Sequence, residues 1–193
     1  MFRLIKNSLG SYVDIGAGTP IWGSNTYFFY KKGWHGITVD PIEFNINLHK
    51  IVRPRDQKYQ ALVSSKSSQI EFHELIPWEL STTDESIVSS RIKNGATIFR
   101  KHKISTIPLS QIYNVHPLKR PAILSVDVEG AEMEVLLSND WNKYNPDLIC
   151  IEELNNPLDK SKIRDFLKTH NYSLIVYNGV SSIYSWNKSK HVI

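Results

Sequence analysis

The chain has 193 residues, of which 41% are hydrophobic and 22% charged, and its net charge is +4. This length predicts one domain over residues 1–193, and this composition excludes a disordered or fibrous chain. The single cysteine excludes an intrachain disulfide and argues against a cysteine-based zinc site. The basic residues are scattered, whereas nucleic-acid-binding proteins usually concentrate them on one face.

The sequence shows no sign of a membrane or secretory protein. No apolar run approaches the roughly 18 residues of a membrane span. The first ten residues lack the long apolar core and the small-residue cleavage site of a secretory signal. We therefore expect a cytoplasmic protein.

Strands and helices are predicted to alternate at the start of the chain. Strands are predicted at residues 12–15, 36–39 and 60–63, with helices from Ser24 or Asn25 to near Gly33 and over residues 43–51. This alternation is typical of a right-handed parallel α/β sheet.

The middle of the chain is less regular. Residues 65–107 are predicted to form an irregular excursion, which could cover the substrate side of a site. Within it, residues 70–74 alternate like a half-exposed strand, a short helix is predicted near 84–92, and residues 97–107 are predicted to be extended.

Regular elements return after this excursion. Strands are predicted at residues 122–126 and 147–151, helices at 131–138 and 159–169, and a hairpin at 172–186 around Asn178-Gly179. The sequence therefore predicts an α/β fold. We expect a mostly parallel seven-stranded sheet with an antiparallel C-terminal hairpin and helices on both faces.

Acidic residues follow four of the predicted strands. They are Asp14, Asp40, the pair Asp127 and Glu129, and the pair Glu152 and Glu153. Ligands of such sheets bind at the carboxyl ends of the strands, where these residues should converge. Crowded carboxylates repel one another, so this edge suits a ligand with positive charge and hydroxyl groups better than bare phosphates.

A glycine turn follows the first strand. Gly16 and Gly18 allow a tight turn and a close approach of a ligand, but Ile21 stands where the dinucleotide fingerprint needs glycine, and no phosphate-binding Gly-Lys-Ser/Thr occurs. Asp40 ends the second strand, where a carboxylate can bind both hydroxyls of a ribose. An adenosine ligand without pyrophosphate fits this combination, and S-adenosylmethionine is such a ligand, with Asp14 expected to face its ammonium end.

Three segments resemble the FkbM family of S-adenosylmethionine-dependent methyltransferases. They are residues 13–18, 24–41 and, most specifically, 126–132. The family commonly has Asn in place of Gly18 and often Glu in place of Asp40, and both differences preserve the local chemistry. The resemblance, which runs from about residue 11 to 155, implies a class I methyltransferase fold. It also implies O-methylation, often of sugars in surface glycans or secondary metabolites. The residues predicted to bind the cofactor are Asp14, Gly16, Ala17, Gly18, Asn25, Thr26, Asp40, Pro41, Ser64 and Asp127.

Three carboxylates are predicted to be catalytic. A hydroxyl acceptor needs a base as it attacks the methyl group, and Asp127 is the predicted base, with Glu129 as the runner-up and Glu152 orienting the acceptor or the base. An alternative is that Asp127 and Glu129 only cap the next helix. Asp127 and Glu129 with Glu152 or Glu153 could also hold Mg²⁺, but spacing alone does not establish a site and no metal is predicted.

Other functions stay open. A nucleic-acid methyltransferase is disfavoured by the scattered charge, and because residues 126–130 lack an Asn/Asp-Pro-Pro-aromatic segment. A Rossmann-like binding module without catalysis is the second alternative, and a nicotinamide-dependent oxidoreductase, weakened by Ile21, is the third. We expect a small-molecule or glycan acceptor in an open cleft, closed by the excursion, by the acceptor or by the second subunit of a homodimer.

Overall fold

A computed structural model describes residues 8–65, 68–153 and 160–192. The strands are β1 (Ser11–Ile15), β2 (His35–Asp40), β3 (Gln57–Gln60), β4 (Leu62–Val63), β5 (Gln69–Ile76), β6 (Thr97–Ile107), β7 (Ala122–Val126), β8 (Leu148–Glu152), β9 (Tyr172–Tyr177) and β10 (Ser181–Trp186). The helices are α1 (Tyr27–Lys31), α2 (Glu43–Val52), α3 (Glu85–Lys93), α4 (Leu109–Val115), α5 (Glu132–Leu137) and α6 (Lys162–Thr169), with a 3₁₀ turn at Trp78–Leu80. Within these ranges, no helix is long and apolar enough to cross a membrane.

The main sheet has seven strands in the order β3-β2-β1-β7-β8-β10-β9. Neighbouring strands are parallel except at β10, which runs antiparallel to both β8 and β9. The predicted seven-stranded sheet with an antiparallel hairpin is therefore confirmed. The strand order reverses between β1 and β7, so a crevice opens at the carboxyl ends of these two strands.

Side chains alternate between the two faces of the sheet. Val13 of β1 belongs to a large apolar cluster with residues of α4, α5 and α6. Its neighbour Tyr12 belongs to a smaller cluster on the other face, with Phe29 of α1 and Trp34. The predicted helices on both faces are thus confirmed, and Asp14, next in the alternation, lies on the α1 side.

The third strand differs from the prediction. The apolar run at residues 60–63 predicted it, but the third strand of the main sheet is β3, which is made of polar residues and pairs only with β2. An edge strand has one neighbour and needs little apolar surface. The apolar residues Leu62 and Val63 form β4 instead and pair with β6.

The excursion is regular, so the prediction of an irregular segment is wrong. β5 and β6 pair in antiparallel register, and together with β4 they form a second, three-stranded sheet. Ion pairs join the two strands, since Arg100 contacts Glu74 at 2.5 Å and Lys101 contacts Glu71 at 3.0 Å. The half-exposed strand, the short helix and the extended segment predicted here correspond to β5, α3 and β6.

Two further differences concern helices. The short helix α4, which connects β6 to β7, was not predicted, because its apolar residues occupy only two turns. The helix predicted from residue 159 is observed as α6 from Lys162, and residues 154–159 lie outside the described part of the chain.

Candidate active site

A cavity of about 270 Å³ opens at the carboxyl ends of β1, β2 and β7. Eight of the ten residues predicted to bind the cofactor line it: Asp14, Gly16, Ala17, Gly18, Asn25, Asp40, Pro41 and Asp127. Thr26 and Ser64 are buried and do not line it. Residues of the second sheet and its turn, including Phe72 and Trp78, form the far wall.

The glycine turn closes the bottom of this cavity. The amides of Gly16 and Ala17 both donate to the Val39 carbonyl, at 2.9 and 3.1 Å, which ties β1 to β2. Gly16 has a φ of +73°, and a Cβ on it would lie 1.7 Å from the Asp127 carbonyl oxygen. Only glycine therefore lets the turn pass this close to the end of β7.

Asp40 is held rigidly at the end of β2. Its Oδ2 accepts the Gly18 amide at 2.8 Å, and its Oδ1 accepts the Ile42 amide at 2.8 Å and the Asn45 side chain at 3.2 Å. Burial raises the pKa of this carboxyl to about 6, so it is ionised at neutral pH. Oδ2 retains a lone pair for a further donor.

Asp14 is also buried, with its charge compensated inside the protein. Thr26 donates its hydroxyl to Oδ2 of Asp14 at 2.5 Å, and Nη1 of Arg53 lies 4.0 Å from the same oxygen. Burial raises the pKa of Asp14 to about 6. Thr26, predicted to touch the cofactor, thus orients Asp14 instead of lining the cavity.

Arg53 and His49 hold the glycine turn from behind, and sequence reasoning missed both. The wholly buried Arg53 donates to the Pro20 carbonyl at 2.9 Å and to the hydroxyls of Thr26 and Ser24 at 2.9 and 2.5 Å. Nε2 of His49 lies 3.1 Å from the Gly18 carbonyl. Burial lowers the pKa of His49 to about 4, so its ring is neutral and Nε2 carries the proton. Arg53 directly follows α2 and comes four residues after His49, and this spacing was the available signal.

Three carboxylates meet at the open end of the crevice. Asp127, Glu129 and Glu152 each offer an oxygen atom, and these oxygens lie within 4.8 Å of one another. Burial raises the pKa of all three groups, and the neighbouring negative charges add to this effect. The pKa of Glu152 rises to about 7, so this cluster holds a proton near neutral pH. Each predicted catalytic residue is therefore part of one acidic cluster.

Arg91 of α3 reaches this acidic cluster from the excursion. Its Nη2 lies 2.9 Å from Oε2 of Glu129, and its Nη1 donates to the Leu80 carbonyl at 2.5 Å. Glu129 has a φ of +56°, so its backbone is in the left-handed region. The Arg91 guanidinium lowers the pKa of Glu129, against the effect of burial.

The alternative that Asp127 and Glu129 only cap the next helix does not match the contacts. The N-cap of α5 is Ala131, which makes no side-chain capping bond. Glu132 accepts the amides of Gly130 and Val128 at 3.0 and 3.4 Å. These two amides precede Ala131, so Glu132 fixes the turn that leads into α5.

Glu153 has a structural role, in contrast to Glu152. It is buried and accepts hydroxyl bonds from Ser182 at 2.6 Å, from Tyr184 at 2.8 Å and from Ser161. Of the two alternatives at this strand end, only Glu152 belongs to the acidic cluster.

This strand order, with a glycine turn and a ligand-sized cavity at the switch point, defines a class I Rossmann-like methyltransferase fold. The chain resembles the crystal structure of methyltransferase FkbM from Methylobacillus flagellatus KT, with a TM-score of 0.58 and 13% identity, over 92% of this chain and 44% of that one. It is also similar to precorrin-6y C5,15-methyltransferase from Geobacter metallireducens GS-15, with a TM-score of 0.47 and 12% identity, over 97% and 85% of the two chains. No curated protein sequence matches this chain.

The family model of the methyltransferase FkbM domain matches residues 14–174. The chain therefore belongs to the FkbM methyltransferase family, which confirms the resemblance found in the sequence. It spans less than half the length of the Methylobacillus flagellatus structure.

We expect Arg53→Met to unfold the protein far more readily than Arg55→Met. Loss of Arg53 leaves Asp14 and Asp56 buried without their cation, which typically costs about 3–5 kcal/mol. Arg55 makes one partly buried bond to the Tyr30 carbonyl and lies 3.9 Å from the centroid of the Tyr30 ring, so its loss should cost about 1–2 kcal/mol. Urea denaturation of both variants measures the difference, and equal losses of stability would contradict the role assigned to Arg53.

Proposed function

We propose that this protein is an S-adenosylmethionine-dependent O-methyltransferase that acts on a sugar hydroxyl of a glycan or a secondary metabolite. The observation that supports this proposal most strongly is the acidic cluster of Asp127, Glu129 and Glu152 beside a cavity lined by the glycine turn. A base lies next to the place where a methyl donor would bind.

The residues of the cavity fit S-adenosylmethionine. Asp40 is ionised and fixed, with lone pairs available for the ribose hydroxyls. The cavity lining includes Ile42, Val63 and Phe72, which offer apolar surface to an adenine ring. The carboxylates of Asp14 and Asp127 suit a ligand with cationic ammonium and sulfonium groups. Ser64 and Thr26 would act from behind this lining.

The bound cofactor would supply an activated methyl group as a sulfonium. The protein must then align the acceptor hydroxyl with that methyl group and accept its proton. Asp127 lines the cavity and is the proposed base. Glu152 shares the same cluster and would receive or orient the proton, since two close carboxylates titrate as a pair.

Glu129 is a weaker candidate for the base. Its carboxylate is bonded to Arg91, and a carboxylate held by a guanidinium has a lower proton affinity. We therefore propose that Glu129 links the acidic cluster to the excursion through Arg91. Asp127 and Glu152 are then the residues that remove the proton.

Asp127→Asn should lower turnover by at least about 100-fold, because the base is lost. Calorimetry should give an S-adenosylmethionine affinity within severalfold of the unchanged protein. The loss of one carboxylate near the cationic groups weakens binding, but Asp40, the residue proposed to hold the ribose, is unaltered. Asp165→Asn, on the exposed face of α6, is the matched control. Formation of S-adenosylhomocysteine across a panel of glycosides measures turnover. Undiminished turnover would remove Asp127 from the mechanism, and failure of the unchanged protein to bind the cofactor would favour a binding module.

The pH dependence should follow the acidic cluster. Glu152 must be deprotonated to take part in proton removal, so activity should fall as the pH drops below about 7. The fall should approach about tenfold per pH unit for a single proton. In the Glu152→Gln variant this fall in activity near pH 7 should disappear, and the remaining pH profile should be set by Asp127. A step near pH 7 that persists in the variant would contradict the assignment.

The reaction is expected to need no metal ion. The acidic cluster has a guanidinium on Glu129 and a proton near neutral pH, and both offset its charge without a cation. Turnover after treatment with EDTA and gel filtration should equal that of untreated protein. A loss of activity that Mg²⁺ restores would show that the cluster holds a cation instead.

A further inference from the structure

A second cavity of about 340 Å³ adjoins the first one. It shares Ser24 and Asn25 with the first cavity, and the remaining described residues of its lining come from β8 and the C-terminal hairpin: Cys150, Val176, Asn178, Ser181 and Ile183. Of the residues predicted to bind the cofactor, Asn25 alone is among the described residues that line the second cavity.

Glu152 is not among the lining residues of either cavity, but it neighbours residues that line each of them. In the antiparallel pairing of β8 with β10, Glu152 is opposite Ser181, and Cys150 is opposite Ile183. Opposed residues share a face of the sheet, and so do residues two apart on one strand. Glu152 is therefore on the face that lines the second cavity, while its carboxylate oxygen lies within 4.8 Å of those of Asp127 and Glu129, which line the first.

The tip of the hairpin is well ordered by local bonds. Oδ1 of Asn178 accepts the amides of Val180 and Ser181, at 3.0 and 2.7 Å, and the Asn178 amide donates to the Ser181 carbonyl at 3.2 Å. These bonds fix the wall of the second cavity on the side away from residues 24–25, so the lining polar groups have set positions.

The charge near the second cavity comes from its neighbour. The described lining of the first cavity has no Lys or Arg and includes the acidic residues Asp14, Asp40, Glu79, Asp127 and Glu129. The described lining of the second cavity is uncharged, and the acidic cluster at Glu152 lies beside it. The one described cation beside the acidic cluster, Arg91, is bonded to Glu129. A phosphate or carboxylate in the second cavity would find no cation among the described lining residues, and the neighbouring acidic cluster would repel it.

We propose that the second cavity binds the acceptor, and that it admits a neutral or cationic end bearing hydroxyl groups and rejects a phosphorylated one. Ser and Asn side chains suit hydroxyl groups. Glu152 would stand between the acceptor hydroxyl in this cavity and the methyl donor in the first. This inference rests on the proposed methyl transfer, and it adds the location and the charge of the acceptor.

The test measures the charge selectivity of this cavity without knowledge of the acceptor. Ser181→Cys is made in a Cys150→Ala background, so that the thiol at residue 181 is the only one. It is treated with two methanethiosulfonate reagents of similar size, one carrying a trimethylammonium group and the other a sulfonate. Ser173→Cys, at an exposed position of β9, is the matched control in the same background.

At each position we compare the reaction rate of the cationic reagent with that of the anionic reagent. This ratio should be larger at residue 181 than at residue 173, by about tenfold or more. Adding Glu152→Gln should reduce this preference, since a nearby negative charge is lost. Equal preferences at the two positions would overturn the proposal, and so would failure of both reagents to react at residue 181, because an acceptor site must be open.

Cofactor binding separates this inference from the proposed function. Labelled Ser181→Cys protein should bind S-adenosylmethionine within about threefold of unlabelled protein, since the label occupies a different cavity. Loss of binding only after labelling would assign the second cavity to the cofactor and overturn the inference. Loss of binding before labelling would contradict the proposed function itself.

Discussion

The buried guanidinium of Arg53 is the interaction on which the candidate site depends. Two carboxylates, Asp14 and Asp56, lie in the interior within 4.0 Å of it, where an uncompensated charge would be very unfavourable. The same guanidinium binds Pro20, and the hydroxyls of Ser24 and Thr26. The turn that lines the cavity is therefore shaped by a residue that follows α2, and the stability of the core and the geometry of the site share one side chain.

The carboxylates of the strand ends fall into two groups with different environments. Asp14 and Asp40 are buried and accept hydrogen bonds from protein donors, and their pKa values near 6 leave them ionised at neutral pH. Asp127 and Glu152 belong to the acidic cluster, with oxygens within 4.8 Å of each other, and the pKa of Glu152 is about 7. The negative charges of Asp14 and Asp40 at the base of the cavity are therefore fixed. The acidic cluster at the open end of the crevice can gain or lose a proton near neutral pH. Only the second group is suited to exchange protons with a ligand.

The sequence predicted the parts of the fold that short-range patterns determine. The strands β1, β7 and β8 are apolar runs, and the turn at Gly16 follows the first of them. The sequence did not predict features that depend on distant contacts. Arg53 bonds to Pro20, Ser24 and Thr26, which precede it by 27 to 33 positions, and Arg91 pairs with Glu129, 38 positions further along the chain. Glu152 and Glu153 are also adjacent in the sequence, and only the folded structure distinguishes the acidic cluster at Glu152 from the hydroxyl partners of Glu153.

The excursion contacts both the first cavity and the acidic cluster. Its strand β5 and the 3₁₀ turn that follows bring Phe72 and Trp78 to the wall of the first cavity, and its helix brings Arg91 to Glu129. Any movement of α3 would change the distance from Arg91 to Glu129, and with it the charge felt by Asp127 and Glu152. Because the guanidinium opposes the rise in the pKa of Glu152, a displaced α3 would leave that carboxyl more protonated. On the proposed mechanism, a displaced excursion would therefore weaken the base, and the closed excursion would favour the ionised cluster that proton removal needs.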